Sequence, residues 1–190
     1  MIHNPILPGF HADPCICRKG DDFYVAVSSF EWFPGIPIYH SKDMKNWELY
    51  SHALTNADDS DLKKLPSAKG IWASHLTKHG DYYYIMCAEG DTGYYHSVTM
   101  GRSKNVYGPY EADPCNPILT SAPGNYNERA DWDHLKPRYY NPESKLQKSG
   151  HASYVDLPNG ETWMVHLTSR PFVPELRCTL GRETAIQRMK

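Results

Sequence analysis

Gly20-Asp21-Asp22-Phe23-Tyr24-Val25-Ala26-Val27 reappears as Gly80-Asp81-Tyr82-Tyr83-Tyr84-Ile85-Met86-Cys87, and again as Gly160-Glu161-Thr162-Trp163-Met164-Val165-His166-Leu167. Each copy is a Gly-acid turn followed by a run of aromatic and β-branched residues, the composition of a strand leaving a hairpin. The first and third copies also match upstream and downstream. His11-Ala12-Asp13 and His151-Ala152-Ser153 stand at the same distance before their turns, and Ser29 and Ser169 at the same distance after them. Each copy therefore predicts strand, turn, strand. A third strand follows the pair: Ile38 to Glu48 and Val98 to Gly108 both run from a strand through a polar Ser-Lys turn to an aromatic residue.

Three or four short antiparallel strands per unit, repeated along the chain, are the mark of an all-β propeller. The count is short. A blade takes about 40–45 residues and a propeller closes with about four to eight blades, whereas this chain offers three units. Their turns lie 60 and 80 residues apart. The 190 residues are thus expected to form one partial propeller domain. No amphipathic helix of useful length is predicted; residues 57–69 allow a short helical turn inside a loop. Residues 121–149, polar and rich in Pro and Asn, read as a long loop insertion.

Composition narrows the chemistry. Hydrophobic residues make up 40% and charged residues 22%, with a net charge of −2, which suits a globular protein. The charges are mixed, so no basic patch points to nucleic acid or to an anionic membrane. The chain opens without a basic segment followed by an apolar one, so no signal peptide is expected. The five cysteines, at 15, 17, 87, 115 and 178, are odd in number and scattered. They read as reduced thiols of a cytoplasmic protein. Cys15-x-Cys17 places both thiols on one face of a strand, a poor zinc spacing. Phosphate-loop, dinucleotide, zinc-protease and serine-hydrolase signatures are all missing. The 14 Tyr, 5 Trp and 5 Phe suit stacking on sugar rings, and equally suit strands.

Two acids stand out by position. Asp13, in Gly9-Phe10-His11-Ala12-Asp13-Pro14, lies where an inner strand should begin. Glu89, in Ala88-Glu89-Gly90-Asp91-Thr92-Gly93, ends the most hydrophobic strand. A carboxyl beside an apolar strand is placed to lose water and gain a raised pKa. Glycoside hydrolysis uses such a pair, one acid to protonate the leaving oxygen and one carboxylate to activate water. Ordinary readings stand beside this one: Asp before Pro is a common turn residue, and Glu89 also suits a rim charge or a salt bridge.

At this point the chain resembles glycoside hydrolase family 43. The resemblance is carried by Asn4-Pro5-Ile6-Leu7-Pro8-Gly9-Phe10-His11-Ala12-Asp13-Pro14, by Ser28-Ser29-Phe30-Glu31-Trp32-Phe33-Pro34-Gly35, by Gly70-Ile71-Trp72-Ala73, by the Glu89 segment with His96-Ser97, by Gly150-His151-Ala152 and by Leu180-Gly181-Arg182-Glu183-Thr184. It implies a five-bladed propeller and an inverting β-xylosidase or α-L-arabinofuranosidase acting on xylan- or arabinan-derived oligosaccharides. Asp13 then matches the general base and Glu89 the general acid. Phe30 and Trp72 resemble the aromatic walls of the subsite for the terminal sugar, and Arg182 the arginine that contacts sugar and carboxylates. His151 resembles the central histidine, which in many members lies near a bound calcium ion or its waters. A hydrogen-bonding role for His151 is an equal alternative to a metal role. No other cofactor is implied.

The chain also departs from the family pattern. A third acid, an Asp that tunes the general acid, has no counterpart. Ile71-Trp72-Ala73 runs directly into Ser74-His75-Leu76, where the family carries a far longer stretch. This predicts a deletion joining the start of one blade to the hairpin of a later one. The chain stops soon after the Arg182 motif, so closing strands are expected to be absent. Two outcomes follow: a working glycosidase with its carboxyls about 6.5–9.5 Å apart, or a shortened propeller that binds sugar without cleaving it. An open propeller edge also invites pairing with another copy, so a homo-oligomer is expected.

Overall fold

A computed structural model describes residues 1–60, 62–63, 65–90, 96–120, 144–175, 178 and 182–189. These residues form an all-β fold of three antiparallel sheets in chain order, an incomplete propeller. The first sheet has the order β1 (Cys15–Lys19), β2 (Asp22–Ala26), β3 (Gly35–Ser41), β4 (Glu48–Leu54). The second is built from β5 (Gly70–His79), β6 (Tyr82–Gly90), β7 (Ser97–Ser103) and β8 (Glu111–Ala112), with β9 (Leu119–Thr120) also pairing β7. The third contains β10 (Gln147–Asp156), β11 (Thr162–Ser169) and β12 (Glu183–Arg188).

The repeated Gly-acid phrase is the first hairpin of each sheet. Gly20, Gly80 and Gly160 all take positive φ, at 61°, 56° and 83°. Glycine is the residue that enters this left-handed region without a Cβ clash. The turn pins register: Lys19 pairs with Asp22, His79 with Tyr82, and Asp156 with Thr162. The third strands predicted from Ile38 and Val98 are β3 and β7, ending at Ser41 and Ser103.

The sheets stack face to face. Along β6, Tyr83, Ile85 and Cys87 point to the first sheet and join Tyr24, Ile36, Ile38, Ala53, Ile71, Leu76 and Val106 in one core. The alternate residue Met86 points the other way and joins Val98, Ala152 and Met164 against the third sheet. A sheet buried on both faces reads as a continuous apolar run rather than an alternating one, which explains Tyr82 to Ala88. Among the strands beginning each sheet, β1 packs on β5 and β5 on β10. These are the innermost strands of the arc.

Two expectations change at their edges. Residues 57–59 form a turn, with no helix among the described residues of 57–69. Of the expected loop insertion, 121–143 lie outside the described residues, while Gln147–Ser149 already belong to β10. No helix among the described residues is long and apolar enough to cross a membrane.

Candidate active site

At the start of each inner strand the backbone turns left-handed at a residue other than glycine. Asp13 has φ 50°, Ala73 has φ 50° and His151 has φ 46°. In β5 and β10 these residues sit inside breaks of register, between Trp72 and His75 and between Gly150 and Ser153. Such β-bulges re-aim a side chain, and a left-handed non-glycine residue costs about 1–2 kcal/mol. Strain repeated at one level of three sheets, on Asp13 and His151, the residues singled out for chemistry, and on Ala73, is the pattern of a functional rim.

Ser28 ties two of these positions together. Its buried hydroxyl donates to Asp13 Oδ2 at 2.6 Å and accepts the Ala73 N–H at 2.8 Å. The Ser28 N–H in turn donates to the Ala12 carbonyl at 3.0 Å. Asp13 is thereby oriented while remaining exposed to solvent. The desolvated setting expected for Asp13 is not what the fold provides, because the turn before β1 lifts it onto the rim.

The aromatic candidates lie beside this anchor. Phe30, also left-handed at φ 53°, exchanges two backbone hydrogen bonds with Ile71, at 2.9 and 3.0 Å. Its ring meets Phe10 at 5.1 Å, and Phe10 meets Trp32 at 5.8 Å. Phe10 and Trp32 are both largely exposed, so this patch is open to a ligand. Trp72 lies one residue from Ala73. Its indole N–H donates to the Ala68 carbonyl at 3.1 Å and its ring packs on His96 at 4.9 Å. Gly70 makes the approach possible: a Cβ there would stand 2.4 Å from the Phe30 carbonyl oxygen.

His151 is exposed on the third inner strand. It lies near His75, whose pKa is held below the ordinary histidine value by burial and, secondarily, by the charge of His151. The His75 ring meets Tyr154 edge-on at 5.7 Å. Its Nε2 is buried with no partner among the described residues. Among the described residues no three His, Cys, Asp or Glu side chains gather into a metal site. Arg182 is exposed just before β12, with its neighbours 179–181 outside the described residues. The adjacent Glu183 is held by Arg170 at 2.6 Å.

Glu89 lies elsewhere. On β6 it continues the row Tyr83, Ile85, Cys87 that faces the first sheet, and it pairs with Ile71. Trp72 pairs with Ala88, the next row, and so belongs to the opposite face. Glu89 is 8% exposed. The Ser60 hydroxyl donates a hydrogen bond to its carboxylate. Burial raises its pKa, and the hydrogen bonds from Ser60 and Thr99 offset only part of that rise. Its cavity, shared with Ile36, Ala53, Ser60, Cys87 and Thr99, measures about 60 Å³ and is not lined by Asp13. Ligand pockets run to about 300–1,000 Å³, so this space admits water but no sugar ring. Of the two acids expected to form a pair, only Glu89 lines this cavity. The sequence reading missed Ser28, Ser60 and His75. Ala73 stands seven residues before Gly80 as Asp13 stands seven before Gly20, an equivalence in the repeat that the alanine side chain hid; His151 stands nine before Gly160 and aligns with His11.

A family model described as glycosyl hydrolases family 43 matches residues 2–79 and 73–190. The two matches overlap at 73–79, so this part of β5 answers to two places in the family. The break expected between Ala73 and His75 falls inside the overlap. Xylosidase/arabinosidase 43B of Humicola insolens is 30% identical over 300 aligned positions, covering 98% of this chain and 53% of the relative. A β-xylosidase of Bacillus subtilis (strain 168) is 29% identical, covering 99% and 55%. The chain spans about half the length of these relatives. The endo-arabinase structure from Bacteroides thetaiotaomicron is similar in fold, with a TM-score of 0.60 at 15% identity, over 95% of this chain and 51% of that one.

Proposed function

Because the chain belongs to glycosyl hydrolases family 43, we propose that the protein acts on terminal xylose or arabinose units of xylan- or arabinan-derived oligosaccharides, as an inverting O-glycosyl hydrolase. The observation that carries this reading is the Asp13 anchor: an exposed carboxylate held by Ser28, beside the open Phe10–Phe30–Trp32 patch and Trp72. In this role Asp13, ionised, takes a proton from the water that attacks the anomeric carbon. The aromatic rings stack on the apolar face of the sugar. Arg182 and His151 hydrogen-bond its hydroxyls. Burial raises the pKa of Glu89 and so favours the protonated form from which the leaving oxygen would take its proton.

The enclosure of Glu89 favours a second reading for this chain. A general acid must come within about 2.6–3.2 Å of its oxygen, and the 60 Å³ cavity keeps a glycosidic oxygen out. In that reading the chain binds a terminal pentose without cleaving it. Aryl β-xyloside and aryl α-L-arabinofuranoside assays, run beside calorimetric titration with xylo- and arabino-oligosaccharides, separate the two. Turnover abolished by both Asp13→Asn and Glu89→Gln supports hydrolysis. Binding that Trp72→Ala removes, without turnover, supports the second reading. Neither binding nor turnover refutes both.

A further inference from the structure

A second concavity lies at the far end of the inner strands. Between the second and third sheets, where β5 and β10 reach their hairpin turns, His79, Tyr84, Tyr154, Asp156, Thr162 and Arg188 line a cavity of about 520 Å³. That volume falls in the range of about 300–1,000 Å³ common to ligand pockets. Both walls belong to sheets that the chain itself packs together, and both lie in the stretch 73–190 that the family model matches in one piece. On β6, Tyr84 alternates into the Met86 row that faces the third sheet. Tyr154 packs from the other side on the core of Met86, Val98, Ala152 and Met164. His79 stands six residues beyond Ala73 on β5. At about 3.4 Å per residue the cavity is then roughly 20 Å from the rim, and separate from the Asp13 site.

The polar groups of this cavity are already paired. His79 Nδ1 donates to Asp156 Oδ2 and the Thr162 hydroxyl to Asp156 Oδ1, each at 2.6 Å. Arg188 donates to Glu161 Oε1 at 3.0 Å, and the Trp163 indole to Glu161 Oε2 at 3.1 Å. Hydrogen bonds, led by Thr162 for Asp156 and by Trp163 for Glu161, hold both carboxyls below their ordinary pKa. Each carboxylate thus has a basic partner, and the lining offers no bare charge to draw an ion. Hydrogen-bonding capacity remains, because a carboxylate oxygen has about two lone pairs and a guanidinium about five N–H donors. The bonds already made fix the direction of what is left, so little ordering is needed on binding. Two tyrosine rings add apolar faces. A molecule that matches this lining is uncharged, has apolar ring faces and carries hydroxyls around its edge. We infer that the cavity is a second saccharide site, which holds a neutral pentose oligosaccharide away from the rim. The choice of pentose rests on the function proposed above; the separate site does not. A chain held there keeps the protein on its polymer while the rim meets chain ends.

The test is a backbone-amide NMR titration of the 190-residue chain with xylohexaose and with arabinohexaose. Amides of Gly160, Glu161 and Thr162 should shift as either sugar is added. Tyr84→Ala and Arg188→Ala should each raise the dissociation constant read at these amides about tenfold. The Arg188 side chain is 54% exposed, so its replacement probes the site without disturbing the fold. Trp72→Ala and Asp13→Asn should leave the shifts at Gly160 to Thr162 in place while removing those at the rim. The two sites therefore fail separately. Shifts at Gly160 to Thr162 with none at the rim would uphold the inference and refute the rim as a sugar site. Shifts confined to the rim, shifts at Gly160 to Thr162 indifferent to both Tyr84→Ala and Arg188→Ala, or a preference there for anionic hexagalacturonate over the neutral sugars would each overturn the inference. No shift anywhere would overturn both.

Discussion

Replacing Glu89 with Gln tests the burial of this carboxyl through the pH dependence of stability. The residue is 8% exposed, and burial raises its folded-state pKa above the ordinary value of 4.5. The folded protein therefore holds this proton more tightly than the unfolded chain does. Above pH 4.5 the unfolded chain ionises first, so each further rise in pH favours unfolding. The slope approaches about 1.4 kcal/mol per pH unit for one proton. It ends where the pH passes the folded-state pKa. The amide introduced by Glu89→Gln does not titrate, so the variant lacks this slope. Urea unfolding followed by tryptophan fluorescence, at a series of pH values from acid to mildly alkaline, gives both curves. Every other titrating group is shared, so the difference between the curves isolates position 89. Glu89→Gln should gain on the parent protein as pH rises, then level off, and the pH of levelling reports the folded-state pKa directly. Parallel curves, or a parent protein that gains stability with pH relative to the variant, would refute the reasoning.

Ser28→Ala should cost about 1–3 kcal/mol in urea unfolding, because the buried Ala73 N–H loses its acceptor. It should also weaken sugar binding by releasing Asp13, an effect read by calorimetry and absent if Asp13 has no part in the site. Gly70→Ala should destabilise by about 3 kcal/mol, since its Cβ would meet the Phe30 carbonyl oxygen at 2.4 Å and φ is +107°; a neutral result in thermal unfolding would contradict that approach. Cys87 is buried and its thiol is pushed up to about 12, while Cys115 is exposed. Iodoacetamide mapped by mass spectrometry should label Cys115 in the native protein and Cys87 only after unfolding.

The repeat carried most of the fold. Gly20, Gly80 and Gly160 mark the three hairpins because a left-handed turn residue is a local requirement, visible in one position. The strands beside them followed from composition. The closing pairs were less legible. Strand β12 pairs with β11 across 183–188, yet nothing near Glu183 repeats the third-strand phrase of the other two sheets. The start of β10 at Gln147 was hidden in a polar stretch, because Gln147 and Ser149 are buried where periodicity expects apolar residues.

The site was legible where one residue decides the local backbone and illegible where a neighbouring sheet decides it. The place of Asp13 just before β1 was legible from its segment. Its partner Ser28 lies across the first hairpin, and the pair follows from the same turn that aligns Cys15 with Ala26. Glu89 differs. Both rows of β6 are apolar, Tyr83, Ile85 and Cys87 on one face and Met86 and Ala88 on the other. Alternation therefore marks no face of this strand as the rim. Which face Glu89 joins depends on the second sheet standing between two others, a fact about the arc and not about the segment. The apolar strand that makes Glu89 look like a desolvated acid is the same strand that carries it into the core against the first sheet. A raised pKa and access to substrate both depend on burial, with opposite sign. Here the geometry supplies the first at the expense of the second.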